Sequence, residues 1–325
     1  MNKKRPIIWV VESGGLCGGV KVIFEYATHL QQRGWDNAIY SPNPKPKWFP
    51  LGKVPWRQFS NYAELYAALV QVQAAKVATW WRTAYIVDEA SAPGEGYYLI
   101  QDIETSYYFE PIMQQLVMAT YTMPFTHFTT SKFVLGQLPQ ARYVGLAINH
   151  NHFRQLTIKR KPGMVLSIMR RQALKGFSSL VELSLRLQRS EKLRLVTFGQ
   201  EQGVPLGQRH EHLVNPSDRK VLDLFNTAYV FVSTSIREGF GLPHLEAMAC
   251  GLPVVATNAD GNMEFCRHGE NALVVEKGDM VAMANHIEEL HKDKELWRRL
   301  SNEGQKTAGE YRWEPVIARL EEVFT

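Results

Sequence analysis

Two glutamates eight residues apart mark the stretch of this 325-residue sequence whose residue types point most directly to chemistry. Glu238 begins a glycine-rich turn, and Glu246 lies in the helix predicted to follow it. Glycines in such a turn let backbone N–H groups approach an anion at the start of the helix. Ionised carboxylates only accept hydrogen bonds, so the pair suits the hydroxyl groups of a sugar. The structural alternative is a helix-terminal charge for Glu238 and a solvated helix position for Glu246.

A second glycine-rich segment follows the first apolar run of the chain. It separates a predicted strand at 7–11 from a predicted helix at 20–32. Its glycines are Gly14, Gly15, Gly18 and Gly19. Their spacing does not match G-x-G-x-x-G in any register, which excludes the dinucleotide-binding fingerprint. The structural alternative is a simple tight turn.

Several common catalytic signatures are missing. The chain has no G-x-S-x-G, no G-x-x-x-x-G-K-[ST] and no D-x-D, which argues against an α/β-hydrolase, a P-loop enzyme and a carboxylate-held metal. Two H-x-H pairs, His150/His152 and His210/His212, lie in polar sequence without a third ligand nearby. We interpret both pairs as surface loops, and we predict no metal site.

Short apolar runs alternate with helical patterns along the whole chain. In the first half, strands are predicted at 77–81 and 97–100 and a helix at 61–75. In the second half, strands are predicted at 164–168, 193–198, 229–233, 253–256 and 272–275, with helices at 177–187 and 244–249. This alternation is typical of parallel sheets covered by helices on both faces. The predicted fold class is therefore α/β, with two doubly wound, Rossmann-like domains.

A polar, basic segment at 150–163 marks the boundary between these domains, because it has no clear period and precedes a new strand. We predict an N-terminal domain over 1–158 and a C-terminal, ligand-binding domain over 159–306. Residues 307–325 contain an amphipathic pattern, and we expect this helix to return to the N-terminal domain. Ligands of doubly wound domains bind at the carboxyl ends of the strands, so we expect the site in a cleft between the two.

The run from Glu238 to Ala256 resembles the retaining glycosyltransferases of family 4, whose E-x7-E motif it matches. The following Asp260–Glu264 and the run HGENALVV resemble the next segments of that family. The resemblance implies the GT-B architecture and transfer of a sugar from a nucleotide-sugar donor to a hydroxyl acceptor, either a glycan or a lipid-linked glycan. It also implies retention of the anomeric configuration, no cofactor and no metal. It is close in the second half and loose in the first.

The resemblance assigns roles to individual residues. The catalytic ones are Glu238 at the donor sugar and Arg170 and Lys175 at the donor diphosphate, with Arg171 as a rival to Arg170. Fixed cations at that place would stabilise the charge that develops on the leaving diphosphate. The donor-binding residues are Gly14, Gly15, Gly18, Gly19, Gly199, Phe240, Gly241, Leu242 and Glu246, with Glu246 at the ribose and the loop at 200–209 near the base.

The first half departs from the family pattern where the family carries a histidine, often followed by an aspartate. This chain has Gln101 and Asp102 there, followed two residues later by Glu104. Gln101 and Asp102 are therefore the candidates for contact with the acceptor. His127 is an alternative, but a buried core histidine is the simpler interpretation of that residue. Family members acting on deoxysugars such as rhamnose show a similar Q-D-x-E segment. The sequence therefore leaves two transferred sugars open: a deoxyhexose, as in a rhamnosyltransferase-like enzyme, or a hexose.

Charge is unevenly distributed, with 16 Lys and Arg against 10 Asp and Glu through Arg160. This basic, aromatic half predicts a peripheral contact with an anionic membrane, with scattered solvated lysines as the alternative. No nucleic-acid-binding motif accompanies the charge, so we expect no nucleic-acid partner. No apolar run approaches a membrane span, and the three cysteines have no disulfide spacing. These features favour the cytoplasm or the inner face of the membrane.

Two other functions stay open on this sequence. A nucleotide-sugar epimerase of GT-B architecture would act on the donor without an acceptor. A non-catalytic nucleotide-sugar-binding or scaffold protein would bind without turnover. The resemblance favours polysaccharide biosynthesis at the cell envelope as the setting for the transferase.

Overall fold

The computed structural model describes residues 5–202 and 206–325, which divide into two compact units. Unit 1 comprises the described residues up to Leu146 together with Trp313–Thr325, and unit 2 comprises Ala147–Arg312. Each unit is built on one sheet whose strands all run parallel, with helices packed against it. The predicted α/β class with two Rossmann-like parallel sheets is confirmed.

Unit 1 contains a seven-stranded sheet in the described part of the chain. Its strands are β1 (Ile7–Val10), β2 (Asn37–Ser41), β3 (Trp56–Gln58), β4 (Ala75–Ala78), β5 (Gly96–Ile100), β6 (Thr126–Thr129) and β7 (Arg142–Tyr143). Its first helices are α1 (Gly18–Gln32), α2 (Tyr62–Val70), α3 (Trp81–Ala90), α4 (Pro111–Thr120) and α5 (Lys132–Gln137). The strand order is β3-β2-β1-β4-β5-β6-β7. The chain adds β2 and β3 on one side of β1 and the later strands on the other side, so the strand order reverses between β1 and β4.

The helix predicted at 61–75 is shorter than expected, because α2 ends at Val70 and β4 already begins at Ala75. All four residues of β4 are buried, and they pair with β1 on one side and β5 on the other. A strand buried on both faces needs a continuous apolar run, which periodicity alone does not distinguish from the end of a helix. The predicted strand at 77–81 is displaced for the same reason, and Trp81 begins α3 instead.

Unit 2 contains a six-stranded sheet in the described part of the chain. Its strands are β8 (Met164–Ile168), β9 (Arg194–Gly199), β10 (His210–Val214), β11 (Val230–Ser233), β12 (Val254–Thr257) and β13 (Leu273–Val275). Its helices are α6 (Phe177–Leu187), α7 (Asp218–Thr227), α8 (Leu242–Ala249), α9 (Met280–Lys292) and α10 (Lys294–Glu310). The order β10-β9-β8-β11-β12-β13 places the reversal between β8 and β11. The elements predicted for this half are confirmed, with ends that shift by one or two residues.

The domain boundary lies at 146/147 rather than at the predicted 158/159. The Arg160 guanidinium donates to the carbonyl groups of Phe225 and Ala228, at 2.9 Å each, where α7 ends. Nearby, the backbone N–H of Leu156 donates to the side chain of Asn226 at 2.7 Å. Helix C-termini leave carbonyl groups without partners, so this basic segment is bound to unit 2 by the groups it satisfies.

The last helix, α11 (Trp313–Phe324), belongs to unit 1. The Phe324 ring packs edge-on against Trp9 of β1, with 6.1 Å between ring centroids. The Glu321 carboxylate accepts a hydrogen bond from the Trp35 indole at 2.7 Å. Unit 2 extends to Arg312 instead of 306, because α10 continues to Glu310.

Candidate functional site

The candidate residues of unit 2 lie where β8 and β11 end side by side. In doubly wound sheets, ligands bind at the carboxyl ends of the strands where the strand order reverses. The segment after β8 carries Arg170 and Lys175, and the segment after β11 carries Glu238. The two segments contact each other, because the backbone N–H groups of Ile236 and Arg237 both donate to the Leu174 carbonyl, at 2.9 and 3.0 Å.

Lys175 and Glu238 form an ion pair at this place, with 2.8 Å between Nζ and Oε2. The side chains are only 13% and 16% exposed, so water screens the pair weakly. Lys175 also donates to the Arg237 carbonyl at 3.2 Å, and the Ser235 hydroxyl donates to the second oxygen of Glu238 at 2.7 Å. An ammonium group has three N–H donors, of which these contacts use two.

The pKa of Glu238 lies below its ordinary value although burial opposes this. Burial alone would raise the pKa, but the charge and the hydrogen bond of Lys175 lower it more, with a smaller contribution from the hydrogen bond of Ser235. Glu238 is therefore ionised at neutral pH. The pair presents a hydrogen-bond acceptor and a cation side by side, which fits a ligand with hydroxyl groups next to a phosphate.

Gly176 allows the two segments to approach this closely. Its φ of 67° lies in the left-handed region, and a Cβ there would overlap the Thr234 carbonyl oxygen. The Thr234 hydroxyl in turn donates to the Gly176 carbonyl at 3.0 Å. The glycine after Lys175 is therefore needed to place that lysine beside β11.

Arg170 and Arg171 differ in what their guanidinium groups contact. Arg171 donates through Nη2 to the Gln202 carbonyl at 3.2 Å, and its backbone N–H lies 3.0 Å from both carboxylate oxygens of Glu201. Arg170 is half-buried, and its side chain has no hydrogen bond or ion pair with any residue that the structure describes. The geometry therefore favours Arg170 over its rival as the cation available to a ligand.

The turn after Glu238 leads directly into α8. Gly241 has a φ of 98°, and a Cβ there would lie 2.9 Å from the His244 ring. Phe240 is buried against the Phe265 ring, and Leu242 is the first residue of the helix. Glu246 lies further along α8 and is 9% exposed.

A segment whose role the sequence did not reveal supports the backbone of Glu238. The Glu238 N–H donates to the Ala259 carbonyl at 2.8 Å, and the Gly261 N–H donates to the Glu238 carbonyl at 3.0 Å. A Cβ at Gly261 would overlap the carbonyl groups of Glu238 and Gly239. Asp260, before it, has a φ of 65°, which is unusual for a residue with a side chain. The signal in the sequence is the Asp-Gly-Asn triplet directly after a strand.

His244 is a second residue that sequence reasoning missed. It is 1% exposed, and its Nδ1 lies 2.9 Å from the Gly241 carbonyl, which can only accept. Burial lowers the pKa of this imidazole, which the charge of Glu238 opposes. His244 therefore supports the turn as a neutral ring, and nothing in the pattern around it distinguishes it from an ordinary helix residue.

Gly199 ends β9 beside the segment after β8. A Cβ there would overlap the Met169 carbonyl oxygen, so only glycine permits this approach. The loop predicted to lie near the base, 200–209, includes residues 203–205, which lie outside the described residues. The H-x-H pair that follows this loop, His210 and His212, was predicted to lie in a surface loop. That prediction is wrong, because β10 begins at His210 and pairs with β9. His150 and His152 lie in a turn, in agreement with the prediction.

In unit 1, the glycine segment joins β1 to α1 as predicted, and Gln101 lies against it. The Gln101 amide donates to the Gly19 carbonyl at 3.1 Å, in the first turn of α1. The Trp48 indole donates to the Gly14 carbonyl at 2.8 Å. Gly18 has no neighbour within 4 Å of a built Cβ, and Gly15 has only the Ser13 hydroxyl. Gly15 and Gly18 are therefore the open part of this segment.

Asp102 and Glu104 are both buried, and their partners lie within unit 1. Asp102 accepts hydrogen bonds from the Ile103 N–H and the Tyr107 hydroxyl, at 2.8 Å each. Glu104 accepts from the Trp81 N–H at the start of α3 and from the Tyr98 hydroxyl, also at 2.8 Å each. Burial raises the pKa of Glu104 to about 8, and the charges of Asp102 and Glu12 add to the effect, while the two hydrogen bonds oppose it.

His127, the alternative to Gln101, lies on β6 with 6% of its surface exposed. Its Nε2 lies 3.4 Å from the Thr120 carbonyl, and burial lowers its pKa. His127 is therefore a buried core histidine, which was the simpler of the two interpretations of the sequence.

Within residues 5–202 and 206–325, no three His, Cys, Asp or Glu side chains are close enough to hold a metal ion. None of the helices in those residues combines the length and apolar character that crossing a bilayer requires.

Similarity to solved structures extends over both units. Sucrose-phosphate synthase from Thermosynechococcus elongatus has a TM-score of 0.83 at 17% identity, covering 99% of this chain and 98% of that chain. HepE of Anabaena, in complex with UDP-glucose, has a TM-score of 0.81 at 18% identity, covering 98% of each chain. At these identities the likeness concerns the fold, and it confirms the predicted GT-B class.

Sequence similarity to curated proteins is concentrated in a shorter stretch. CapM of Staphylococcus aureus, a capsular polysaccharide biosynthesis glycosyltransferase, is 39% identical over 85 residues, which cover 26% of this chain and 22% of CapM. N-acetyl-alpha-D-glucosaminyl L-malate synthase of Bacillus anthracis is 32% identical over 105 residues, which cover 32% of this chain and 28% of that protein. The matched stretches therefore span about a quarter of these relatives. The sequence model of a family described as "Glycosyl transferases group 1" matches residues 149–307. The matched residues make up nearly the whole of unit 2.

Proposed function

We propose that this chain is a glycosyltransferase that moves a sugar from a nucleotide-sugar donor to a hydroxyl acceptor. The observation that carries the proposal is the Lys175–Glu238 ion pair at the strand reversal of unit 2, within the segment that matches the glycosyltransferase family model. A cation next to a carboxylate matches the diphosphate of such a donor and the hydroxyl groups of the sugar attached to it.

Charge stabilisation at the leaving group is the main contribution of these residues. When the sugar–phosphate bond breaks, the nucleoside diphosphate gains negative charge. The Arg170 guanidinium and the third N–H of Lys175 neutralise that charge. Glu238, ionised because of Lys175, accepts hydrogen bonds from the donor sugar, and Glu246 accepts them from the ribose. The family resemblance supports retention of the anomeric configuration, and the two fixed cations make a metal unnecessary for the leaving group.

The glycine segment of unit 1 supplies the backbone N–H group of Gly18, at the start of α1, for phosphate, whereas the Gly15 N–H donates to the Ser13 hydroxyl at 3.1 Å. Gln101, through its bond to the Gly19 carbonyl, keeps the first turn of α1 in place. The transferred sugar is a hexose or a deoxyhexose, and the product is a glycan or lipid-linked glycan of the cell envelope. The names of the curated relatives, which include capsular polysaccharide biosynthesis, support this setting.

We further propose that unit 1 binds the inner face of an anionic membrane from the cytoplasm. Helix α4 contains no charged residue, yet Ile112 and Met118 are 62% and 60% exposed, and Phe109 before it is 90% exposed. The stretch 41–59 carries four basic residues and no acidic one. Each basic residue near an anionic bilayer contributes about 1 kcal/mol.

Vesicle flotation tests the membrane proposal. At low salt we expect the chain to float with anionic vesicles and not with zwitterionic ones. The double variant Phe109→Ser/Ile112→Ser should lose most of this binding. The control is Leu185→Ser on α6, which removes an equally exposed apolar side chain from unit 2. If the wild type stays unbound, or if the control loses as much binding as the variant, the proposal is wrong.

Nucleotide binding tests the donor site itself. We would measure thermal stability and calorimetric binding with UDP, GDP, ADP, dTDP and CMP, with and without EDTA, beginning with UDP because HepE was solved with UDP-glucose. A ligand that binds only the native state raises its apparent stability. We expect one nucleoside diphosphate to bind the wild type regardless of EDTA and to fail with Lys175→Ala. Lys192→Ala, at an exposed lysine before the amino end of β9, is the matched control.

The outcome separates the transferase from its alternatives. Product formation only in the presence of a hydroxyl acceptor, with the donor's anomeric configuration seen by proton NMR, supports the transferase. Conversion of the donor alone would instead show an epimerase. Binding without any turnover would show a nucleotide-sugar-binding protein, and the absence of binding in both assays would overturn the donor site.

A further inference from the structure

His210 and His212 of the edge strand β10 both contact one threonine on the neighbouring strand. Alternate residues of a strand share a face, so the two rings point the same way. His210 Nε2 lies 2.7 Å from the Thr197 hydroxyl, and His212 Nδ1 lies 2.8 Å from the same oxygen. Thr197 is completely buried in β9. We call these three side chains the His–Thr–His relay.

The relay ends on two backbone groups, and these determine where every proton lies. The Leu206 N–H donates to His210 Nδ1 at 3.2 Å, and His212 Nε2 lies 3.0 Å from the Glu201 carbonyl oxygen. A backbone N–H only donates and a carbonyl only accepts. His210 must therefore carry its proton on Nε2 and donate to the Thr197 hydroxyl. That hydroxyl then donates to His212 Nδ1, and His212 donates through Nε2 to Glu201.

All four hydrogen bonds exist together only when both rings are neutral. A second proton on His210 would lie on Nδ1, facing the Leu206 N–H. A second proton on His212 would face the Thr197 hydroxyl, which already accepts from His210, so the hydroxyl proton would lose its acceptor. Burial lowers the pKa of His210, the charge of His212 adds to this effect, and the charge of Glu211 opposes it. The charged groups around the relay are Glu211, which is paired with Arg194, and the Glu201 carboxylate.

Glu201 connects the relay to the segment that carries the candidate cation. Its carbonyl accepts from His212, while both carboxylate oxygens lie 3.0 Å from the backbone N–H of Arg171. Arg170 precedes that N–H directly in the chain. A series of hydrogen bonds therefore runs from Thr197 in the core of unit 2 to the backbone beside Arg170.

We propose that His210, Thr197 and His212 are positioning residues, which hold Glu201 against the Arg171 backbone and thereby keep Arg170 in place for the donor diphosphate. They act through Glu201 and not by touching the donor. The arrangement holds while both histidines are neutral and is lost when either takes up a proton. This inference rests on the proposed function of the unit 2 site.

The test uses the full chain with the nucleoside diphosphate that it binds best, in a titration series from about pH 8 to about pH 5. Thr197→Val keeps the buried shape and removes both hydroxyl bonds, while Thr197→Ser keeps the hydroxyl. We expect Thr197→Val to raise the Kd about fivefold at pH 8, as for the loss of one well-placed hydrogen bond, and Thr197→Ser to bind like the wild type. The ratio of the Kd of the valine variant to that of the wild type should fall towards one at pH 5, because protonation breaks the relay of the wild type, which the variant already lacks. The ratio is used because protonation of the diphosphate itself changes the Kd of both proteins by the same factor.

Nitrogen-15 NMR of the imidazole rings provides a readout that needs no ligand. Both His210 and His212 should appear as neutral rings protonated on Nε2 at pH 8. In Thr197→Val both signals should shift, whereas that of His286 on α9, which contacts Glu289 and not the relay, should not. The opposite tautomer on either ring would overturn the relay.

Binding separates this inference from the proposed function. If the wild type binds no nucleoside diphosphate, both fail. If the wild type binds and Thr197→Val binds equally well at every pH, the inference fails while the donor site stands. A constant fivefold ratio from pH 8 to pH 5 would also overturn it, since that result would indicate a packing effect without proton dependence.

Discussion

Glu104 in unit 1 and Glu238 in unit 2 both follow a strand of a parallel sheet and have little exposed surface, yet their pKa values move in opposite directions. Burial raises the pKa of Glu104 to about 8, because its hydrogen-bond donors are the neutral Trp81 N–H and Tyr98 hydroxyl while the nearby charges are carboxylates. Burial opposes the ionisation of Glu238 too, but Lys175 lies 2.8 Å away and lowers its pKa. Burial alone therefore does not decide the charge of these residues, whereas an adjacent cation does.

The difference separates two uses of a buried glutamate. Glu104 is protonated at neutral pH, and it connects the segment after β5 to the start of α3. Glu238 is ionised and lies beside a cation that still has a donor available for a ligand. Only the second arrangement offers charge to a substrate, which is why we place the donor site in unit 2.

The variant with the largest expected effect on this comparison is Lys175→Met, which leaves Glu238 buried without its cation. We expect the free energy of unfolding at pH 7.5 to fall by about 3 kcal/mol, because an unpaired buried carboxylate remains. Nucleoside diphosphate affinity should fall about 100-fold. Because the wild-type pKa of Glu238 is lowered, the pair stabilises above the ordinary pKa of a glutamate and is lost as the pH falls through the lowered value. The difference in denaturant unfolding should therefore shrink as the pH falls below the ordinary pKa of a glutamate.

The control for Lys175→Met is the double variant Lys175→Met/Glu238→Gln. It should regain most of the lost stability, since no buried charge remains, while nucleotide binding stays as weak as in the single variant. If the double variant is as unstable as the single one, the loss comes from packing and the electrostatic account is wrong.

Gly261→Ala tests whether the position of Glu238 depends on the segment beneath it. The added Cβ would overlap the carbonyl groups of Glu238 and Gly239, so we expect a loss of about 2 kcal/mol in denaturant unfolding together with weaker nucleotide binding. Gly309→Ala near the end of α10 is the matched control, because nothing lies within 4 Å of its Cβ. That control should gain about 0.5 kcal/mol. Unchanged binding in Gly261→Ala would show that the turn adapts.

Arg170→Ala and Arg171→Ala together test which arginine assists Lys175. We expect the first to weaken nucleoside diphosphate binding about tenfold and the second about twofold, since the Arg171 guanidinium already bonds to Gln202. Calorimetry at constant salt measures both. Equal losses would mean that the loop contact of Arg171 breaks when the donor binds.

The smallest expected effect on nucleotide binding is that of Glu104→Gln, because Glu104 lies in unit 1. The folded-state pKa of Glu104 is raised to about 8, so its proton stabilises the fold at low pH, and this benefit is lost as the pH rises towards 8. Glutamine accepts the same two hydrogen bonds without ionising, so the free energy of unfolding of the variant should exceed that of the wild type by several kcal/mol at pH 8.5 and by much less at pH 5. Glu95→Gln, which removes the partner of the buried Lys76, should destabilise at both pH values. A destabilised Glu104→Gln at pH 8.5 would show that Glu104 is ionised.

The sequence predicted unit 2 better than unit 1 for a physical reason. Strands β8, β11 and β12 are buried on both faces and appear as short apolar runs, while α6 has one apolar face, so both patterns are visible locally. In unit 1, the apolar run of β4 continues directly from α2, and periodicity did not separate them. The prediction of a surface loop for the H-x-H pair at 210–212 was wrong, because the partner of both histidines, Thr197, lies on another strand and is not visible in the local sequence.

By itself, the sequence determined the residue types of the site and their local setting, including the glutamate on a glycine turn, the lysine followed by glycine and the glycine segment after β1. These follow from local backbone preferences and from burial patterns, which depend on near neighbours along the chain. Only the tertiary structure decided that Lys175 and Glu238 bond to each other, that Arg170 and not Arg171 has an available guanidinium, and that Glu104 is neutral. Each of these depends on the order of strands in a sheet, which brings together residues far apart in sequence and sets the local dielectric environment and charge.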